Sequence, residues 1–363
     1  MSSICEQATG WSDQEYWRAL MSRISGERVP FSGSLALTHR CNLRCLHCYA
    51  REDQTGQAMP ELDTEQWKRI IAETKEAGCL FLLLTGGEPL LRGDFTEIYS
   101  FAKKSGMMVT VFTNGALLGG RLIDMFRELP PRMVEISLYG ASEGTHDRIT
   151  GVGGSFRLAR RAIEALLEAG LPVSLKSVLM KLNLEEISGI EKIAAEYNAR
   201  FRFDPAIFPG LKGDRAPLGL RVPPEKAVAF EFADPDRARR WREYDEKNRH
   251  FSDHKNLYIC GAGRRSFHVD PLGYLYPCLM VRDRRYFLPE GKFQAGWGGE
   301  IARVLEEEID PRSPCNGCGM KRVCGYCPGF FAMENGKSRE PAKYLCDIGK
   351  ARRAAIGGPS IGG

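Results

Sequence analysis

The chain contains the stretch Cys41-Asn-Leu-Arg-Cys45-Leu-His-Cys48-Tyr49 shortly after an apolar run, Ser34-Leu-Ala-Leu-Thr38. The spacing i, i+4, i+7 would place the three thiols on one stripe if the stretch were helical. An asparagine and an arginine lie within the stretch and a predicted strand precedes it, so a loop that wraps a metal is favoured. Three thiolates leave a zinc ion with an open position, or one iron of a four-iron cluster without a protein ligand.

The region after this stretch alternates between short runs rich in Val, Ile, Leu and Phe and amphipathic stretches of helical period. Helices are predicted to begin at Asp63, Asp94 and Ser155, and each ends at a glycine about 12 to 15 residues later. The predicted strands are Leu35–Thr38, Phe81–Thr85, Met108–Thr113, Val134–Leu138, Val173–Met180 and Arg200–Phe203. This alternation indicates an α/β fold with a parallel sheet, and six units are too few for a closed eight-stranded barrel.

The expected sheet is either an open partial barrel or doubly wound, and both place the active site at the C-terminal ends of the strands. Four polar or glycine-containing segments follow predicted strands: the cysteine stretch, Thr85-Gly-Gly-Glu-Pro89, Thr113-Asn-Gly115 and Ser137-Leu-Tyr-Gly140. Each could be only a turn, since Asn and Gly tolerate positive φ. Their common location on one rim favours a functional site.

Composition excludes several classes of protein. The formal net charge of the 363 residues is only +5, and the basic residues of Arg237–Arg249 are mixed with acidic ones, so we expect no nucleic-acid groove. The longest apolar run, Cys79–Leu84, is far shorter than the roughly 20 residues of a membrane span, and no signal peptide is recognisable. We therefore expect a cytoplasmic protein with no membrane association, in which the 12 cysteines are ligands or buried thiols rather than disulfides.

The last third of the chain carries a second group of cysteines: Cys260, Cys278, Cys315, Cys318, Cys324, Cys327 and Cys346. A zinc ribbon normally has about 15 to 20 residues between its two Cys-x2-Cys pairs. Here only five residues separate Cys318 from Cys324, which favours iron–sulfur clusters. Cys327 is followed by proline, as in sequences where the fourth cysteine binds a neighbouring cluster. Cys5 and Cys79 match neither group, and Cys79 is expected to be a helix-end or core thiol.

The Cys-x3-Cys-x2-Cys stretch, the ring of His47 and the Gly86-Gly87-Glu88-Pro89 turn together resemble the radical S-adenosylmethionine (SAM) superfamily. The resemblance implies a partial (β/α)6 barrel in which the iron without a protein ligand chelates SAM. It also implies reductive cleavage of SAM to a 5′-deoxyadenosyl radical that abstracts hydrogen from a substrate.

The resemblance further implies roles for individual residues. Cys41, Cys45 and Cys48 would hold the catalytic cluster, and Gly86, Gly87 and Glu88 would meet the methionine ammonium. The remaining candidates for SAM binding are His47 and Tyr49 near the adenine, and Ser137 and Lys176 near the polar end or ribose. A carboxylate at Glu88 matches a positive amine, and glycines allow a backbone to approach a ligand closely.

The second cysteine group resembles the SPASM extension of radical SAM enzymes, which holds two auxiliary four-iron clusters. That resemblance assigns Cys260, Cys278 and Cys327 to one cluster, and Cys315, Cys318, Cys324 and Cys346 to the other. Seven thiolates then serve eight positions, which leaves one iron of the first auxiliary cluster open or bound by another group. One departure concerns Cys327, because the family usually has three residues rather than two after the preceding cysteine.

The expected organisation is a helical leader over residues 1–33, a radical SAM partial barrel over 34–240, a SPASM domain over 255–350 and a flexible tail over 351–363. The resemblance implies an oxidoreductase that modifies a ribosomally made peptide by a thioether or carbon–carbon crosslink. Its implied partners are a flavodoxin- or ferredoxin-type electron donor and, since 33 residues are too few for a recognition domain, a separate leader-recognition protein.

Three alternatives remain at this stage. A tetrapyrrole (heme) side-chain enzyme is the first of them. A sulfatase maturase is disfavoured because those relatives have an acidic residue where this chain has Leu279. A non-catalytic iron–sulfur electron carrier is disfavoured because it would not need the Gly-Gly-Glu-Pro turn.

Overall fold

The computed structural model describes residues 26–51, 60–248 and 254–357, together with Ala19 and Ser22. Cys5, most of the predicted leader and residues 358–363 lie outside the described residues. The strands are β1 (Ser32–Ala36), β2 (Phe81–Thr85), β3 (Met108–Thr113), β4 (Met133–Ser137), β5 (Val173–Val178), β6 (Arg200–Asp204), β7 (Ser266–Val269), β8 (Tyr274–Tyr276) and β9 (Tyr286–Phe287).

The described α-helices follow the expected alternation with the strands. They are α1 (Thr64–Glu76), α2 (Phe95–Lys104), α3 (Gly120–Glu128), α4 (Glu143–Thr150), α5 (Ser155–Glu168), α6 (Ile187–Glu196), α7 (Pro224–Ala233), α8 (Pro235–Lys247), α9 (Phe293–Gly298), α10 (Pro328–Asn335) and α11 (Lys343–Ile356). Short 3-10 helices lie at Pro89–Leu91, Ala216–Leu220, Leu288–Glu290 and Ala302–Leu305. Within the described ranges, no helix combines the length and apolar character that crossing a membrane requires.

All nine strands join one sheet in the order β6-β5-β4-β3-β2-β1-β7-β8-β9. The pairings from β1 to β6 are all parallel, and neighbours in the sheet are neighbours in the chain. A doubly wound sheet would reverse its strand order part-way. The open partial barrel with α-helices between its strands is therefore confirmed, and the doubly wound alternative is wrong.

The sheet has an apolar outer face and a more polar inner face. In β1, Gly33 and Leu35 are buried, whereas Ser32, Ser34 and Ala36 are half-buried. The outer face packs on the helices through fully buried side chains such as Trp67 of α1. Because side chains alternate along a strand, the same pattern leaves polar groups free to line the inside of the barrel.

Strand β7 extends the barrel beyond the six predicted strands. It pairs parallel to β1, with Leu35 opposite Val269, and β8 and β9 continue the sheet antiparallel. The cysteine-rich region thus begins inside the main sheet. The predicted end of the barrel at residue 240 is wrong, since it falls within α8.

Two further boundaries are corrected. β1 begins at Ser32, inside the predicted leader. The prediction missed its first residues because they are small and polar and give no apolar signal. The flexible tail predicted from residue 351 is wrong over residues 351–356, because α11 continues to Ile356 and ends at Gly357. Arg352 and Arg353 in this helix form buried ion pairs with Glu231 and Asp245. Cys79 is a core thiol, as expected, with 5% exposure.

Candidate active site

A cavity of about 640 Å³ lies at the C-terminal ends of the parallel strands. One part of its wall comes from the first cysteine group, with Cys41, Cys45 and Cys48. Another part comes from the second group, with Cys324 and Cys327. The cavity therefore borders both regions of cysteine chemistry that the sequence predicts.

The first cysteine stretch is a loop, as predicted, and hydrogen bonds to two neighbouring segments hold it. The backbone N–H groups of Arg44 and Leu46 donate to the carbonyls of Thr150 and Ile149 at the end of α4, over 2.8 and 2.9 Å. The side chain of Asn114, just after β3, donates to the Oδ1 atom of Asn42 over 2.8 Å. The loop is thus fixed to the barrel at residues 42, 44 and 46, between Cys41 and Cys48.

The three thiols of this loop influence one another. Burial raises the pKa of Cys41 to about 11, and Glu88 and Cys48 add to that rise. Burial also raises the pKa of Cys45, and Cys48 and then Cys41 raise it further. Within the described ranges, no three His, Cys, Asp or Glu side chains are grouped closely enough for a single metal ion. Thiolates that bind separate irons of one cluster do not need such a grouping, and a cationic cluster would stabilise their charged form.

The Gly-Gly-Glu-Pro turn packs directly on the segment that leads to Cys41. Gly86 has a φ of 145°, and a Cβ there would lie 2.5 Å from the carbonyl oxygen of Thr38. A Cβ on Gly87 would collide with the Arg40 carbonyl. The N–H groups of Gly87 and Glu88 donate to Thr38 and Arg40 over 2.7 and 2.8 Å. The close approach that requires glycine is therefore to the chain's own backbone, although both glycines also line the cavity.

Glu88 does not lie on the cavity wall, which corrects the expectation that its carboxylate faces an ammonium group there. It is fully buried, and its Oε1 atom accepts hydrogen bonds from the Thr113 hydroxyl at 2.8 Å and the Leu90 N–H at 3.1 Å. Its Oε2 atom accepts from the Asn114 N–H at 2.7 Å. Burial raises the pKa of Glu88 to about 7, against the effect of these hydrogen bonds. Glu88 thus connects the turn after β2 with the turn after β3.

The other predicted SAM residues do line the cavity. Ser137 and Lys176 lie opposite each other in the register of β4 and β5, and Lys176 forms an ion pair with Asp204 at 3.1 Å. The His47 ring packs edge-on against Tyr139 at 4.4 Å, and its Nδ1 atom is buried without a hydrogen-bond partner in the described part of the chain. Burial, and secondarily Lys176, lowers the pKa of His47 to about 4, so the ring is neutral at physiological pH. Tyr49 also lines the cavity.

The sequence analysis placed Asn114 on this rim, within Thr113-Asn-Gly115, without giving it a role. Other polar cavity residues were missed: Asp204, His268, Asp270 and Arg282. His268 of β7 has its Nδ1 atom 2.8 Å from the Ser34 hydroxyl on β1. Asp204 lies at the end of a predicted strand, so the strand-end rule could have found it. His268 and Asp270 required knowledge of β7, which the sequence pattern did not supply.

The second cysteine group divides into two sets in space. Burial raises the pKa of Cys278 to about 12, and the thiols of Cys327 and Cys260 raise it further. Burial raises the pKa of Cys324 to about 12, with further increases from Cys346, Cys315 and Cys318. These mutual effects on pKa group the thiols in the same way as the two ligand sets that the sequence resemblance implies, and those ligand sets stay a prediction.

Cys327 occupies the N-cap of α10, where its Sγ atom accepts from the Phe330 N–H at 3.4 Å. A helix N-terminus favours a negatively charged thiolate. The thiol of Cys327 raises the pKa of Cys278, and Cys260 raises that of Cys327, although the spacing from Cys324 departs from the usual pattern.

The radical SAM superfamily model matches residues 35–194, which include the end of β1, the strands β2 to β5 and the cysteine loop. This chain contains a radical SAM domain. It is 27% identical to the AdoMet-dependent heme synthase of Methanosarcina barkeri, over 85% of this chain and 94% of that protein. It is 28% identical to mycofactocin maturase MftC of Mycolicibacterium smegmatis, over 82% of this chain and 78% of that protein.

Among solved structures, Streptococcus suis SuiB bound to precursor peptide SuiA has a TM-score of 0.70 and 17% identity, covering 92% of this chain and 80% of that chain. This likeness shows that the fold extends through the cysteine-rich C-terminal part. The radical SAM domain implies a four-iron cluster and SAM as cofactors. The residues present fit both, since three thiols and a neutral His47 with a buried, unpartnered nitrogen in the described structure face one cavity.

Proposed function

We propose that the chain is a radical SAM peptide maturase that forms an oxidative crosslink, either thioether or carbon–carbon, in a ribosomally synthesised peptide. The observation that carries the proposal is the single cavity bordered by both cysteine groups. A substrate in this cavity would lie within one enclosed space between the site of hydrogen abstraction and a second redox centre.

Cys41, Cys45 and Cys48 would hold the catalytic cluster, on a loop fixed by the Gly-Gly-Glu-Pro turn and by Asn114. When bound there, the cluster and SAM supply a 5′-deoxyadenosyl radical that abstracts hydrogen from the substrate. Gly86 and Gly87 present backbone groups for the methionine end of SAM. The neutral His47 and the phenol of Tyr49 would lie near the adenine, and Ser137 and Lys176 near the polar end or ribose.

The second cysteine group would hold two auxiliary four-iron clusters. Cys260, Cys278 and Cys327 are the ligands of one, and Cys315, Cys318, Cys324 and Cys346 are the ligands of the other. The division of these thiols into two spatial sets supports that assignment. Such clusters accept electrons, which an oxidative crosslink must release.

The proposal includes a cytoplasmic setting, where a flavodoxin- or ferredoxin-type donor reduces the catalytic cluster. A separate leader-recognition protein would deliver the precursor peptide. MftC, which resembles this chain over most of its length, is named as a mycofactocin maturase. SuiB, which has a similar fold, has been solved in a complex with the precursor peptide SuiA.

A second candidate is a tetrapyrrole side-chain enzyme. The similarity to AdoMet-dependent heme synthase over 94% of that protein favours it. This candidate uses the same radical site and differs in the occupant of the cavity.

The experiment begins with anaerobically reconstituted protein, dithionite and SAM, which should release 5′-deoxyadenosine. Candidate precursor peptides and an iron–coproporphyrin are then added separately, and products are analysed by mass spectrometry. A peptide product that has lost two hydrogens supports the maturase. Porphyrin turnover with no peptide product would overturn it in favour of the second candidate, and absence of 5′-deoxyadenosine would refute both.

A further inference from the structure

We infer that Arg282 binds a carboxylate group of the substrate inside the cavity. This inference rests on the proposed function and deepens it, because it names the chemical group by which the substrate is held. The ligand chemistry is an acid on a largely apolar body, such as a peptide C-terminus or an acidic side chain beside apolar residues.

Arg282 lines the cavity from the loop after β8, close to the second cysteine group. Its guanidinium carbon lies 3.7 Å from the ring centroid of Tyr276, which holds the planar group against an aromatic face. Its Nη1 atom is buried and has no hydrogen-bond partner within the described ranges. A buried N–H group without an acceptor is destabilising, so an anionic ligand that reaches this nitrogen would be stabilised.

Asp270 does not fully neutralise the positive charge of the Arg282 guanidinium. Its oxygens accept from the Leu272 and Tyr274 N–H groups at 3.1 and 2.9 Å, and from the Tyr276 hydroxyl at 2.9 Å. The contact with Nη2 of Arg282 is the longest of the four, at 3.4 Å. The carboxylate of Asp270 is therefore used mainly to hold the β7–β8 turn, and one edge of the guanidinium is left for another acceptor.

Other cations on the cavity wall differ from Arg282. Lys176 is paired with Asp204 at 3.1 Å and Arg352 with Glu231 at 2.6 Å, both closer than the 3.4 Å ion pair between Arg282 and Asp270. An arginine presents parallel N–H donors that match the two oxygens of a carboxylate. Among these three wall cations, Arg282 is the one with a buried donor nitrogen that meets no acceptor in the described structure.

The position of Arg282 suits a substrate anchor. Arg282 lines the same cavity as Tyr49, the residue that follows Cys48. Apolar side chains also form the wall around it, including Leu279, Met280 and Phe330. A carboxylate on Arg282 would place an adjoining apolar segment between the two cysteine groups.

The test uses the full chain, reconstituted anaerobically with SAM, and isothermal titration calorimetry. The probes are N-acetylphenylalanine, which has an α-carboxylate, N-acetylglutamic acid α-amide, which has a side-chain carboxylate, and the neutral N-acetylphenylalaninamide. We expect at least one acid to bind the wild type about tenfold more tightly than the neutral amide. That preference should disappear in Arg282→Gln and persist in part in Arg282→Lys, which keeps the charge.

Arg285→Gln is the matched control, because Arg285 lies on the same loop but is exposed and stacks on Tyr274 at 4.6 Å. It should keep the acid preference. Equal binding of acids and amide to the wild type, or an unchanged preference in Arg282→Gln, would overturn the inference. The acid that binds more tightly shows whether the substrate carboxylate is a C-terminus or a side chain.

Coproporphyrin III and its tetramethyl ester form a further pair of probes. If only the porphyrin acid binds, and does so through Arg282, the carboxylate site is supported and the peptide proposal fails. Parallel measurement of 5′-deoxyadenosine keeps the two conclusions apart, since a wild type that does not cleave SAM refutes the proposed function whatever Arg282 binds.

Discussion

At the scale of single residues, the turn after β2 fixes the cysteine loop by two different means. Gly87 allows the turn to lie against the backbone of residues 39 and 40, where a Cβ would be 2.6 Å from the His39 carbonyl oxygen. Glu88 fixes the turn from the opposite side through Thr113 and Asn114. The sequence motif indicates that this turn matters, but it cannot show which way a carboxylate points. Glu88 is thus a support of the site rather than part of the cavity wall, whereas Gly87 supports the loop and also lines the cavity.

Gly87→Ala should displace the residues that precede Cys41, because the added methyl group meets backbone atoms that cannot rotate away. Overpacking of this kind costs about 1 to 3 kcal/mol. We expect the reconstituted variant to lose about four irons, the content of one cluster, and to lose SAM cleavage. Gly93→Ala is the control, since a Cβ there meets nothing within 4 Å. Wild-type iron content in the Gly87 variant would contradict the support role.

Glu88 should make stability depend on pH. Burial raises its pKa from an ordinary value of 4.5 to about 7, so its stabilising contribution is complete below pH 4.5 and is lost as pH rises through about 7. Glu88→Gln cannot titrate. Between about pH 5.5 and 7.5, the wild type should lose about 2 kcal/mol relative to this variant. Anaerobic urea denaturation of the two proteins measures the difference, and a constant difference across that range would contradict it.

At the scale of elements, the sequence predicts the alternating units well and the later strands not at all. The bounds of β2 and β3 are as predicted, because these strands are apolar and are bounded by glycines and turns. β1 begins earlier than predicted because its inner face carries serines. β7 pairs with a strand more than 200 residues away, and local periodicity contains no information about such a partner. The expected position of the site survives because the predicted C-terminal ends of β1 to β6 lie within about two residues of the observed ends.

The last helix is an element on which the second cysteine group depends. α11 carries Cys346, and its Arg352 donates to the Val323 carbonyl at 2.8 Å and pairs with the buried Glu231. Gly349 of the same helix faces Cys324. α11 therefore holds two of the predicted ligands, Cys324 and Cys346, in a fixed relation.

Gly349→Ala should separate these two ligands. A Cβ at this position would lie 2.6 Å from the Cβ of Cys324 and 3.0 Å from its Cα, so the loop must move. The gain in helix propensity, at most about 1 kcal/mol, would not offset that displacement. We expect about four irons fewer after reconstitution. Gly298→Ala in α9 is the control, because its Cβ would meet nothing within 4 Å; equal iron in both variants would exclude the ligand role of this pair.

At the scale of the whole molecule, the parallel pairing of β7 with β1 brings the cysteine-rich region against the radical SAM barrel. This pairing explains how one cavity can border Cys41, Cys45 and Cys48 as well as Cys324 and Cys327. If each of the three cysteine sets holds one four-iron cluster, the chain carries three clusters. A reconstituted chain should then hold about twelve irons, and a value near four would refute the auxiliary clusters.

The arrangement also predicts separate effects on radical formation and on product formation. A substrate radical must lose one electron before a crosslink can close, and an auxiliary cluster on the second cysteine group would be an acceptor beside the cavity. Cys315→Ala combined with Cys318→Ala should remove the acceptor nearest Cys324 and leave the loop of Cys41 intact. We expect 5′-deoxyadenosine formation to continue near the wild-type rate, while peptide product with two fewer hydrogens disappears. Mass spectrometry, a parallel 5′-deoxyadenosine count and iron analysis measure the three quantities; crosslinking at the wild-type rate would show that this set of cysteines is structural.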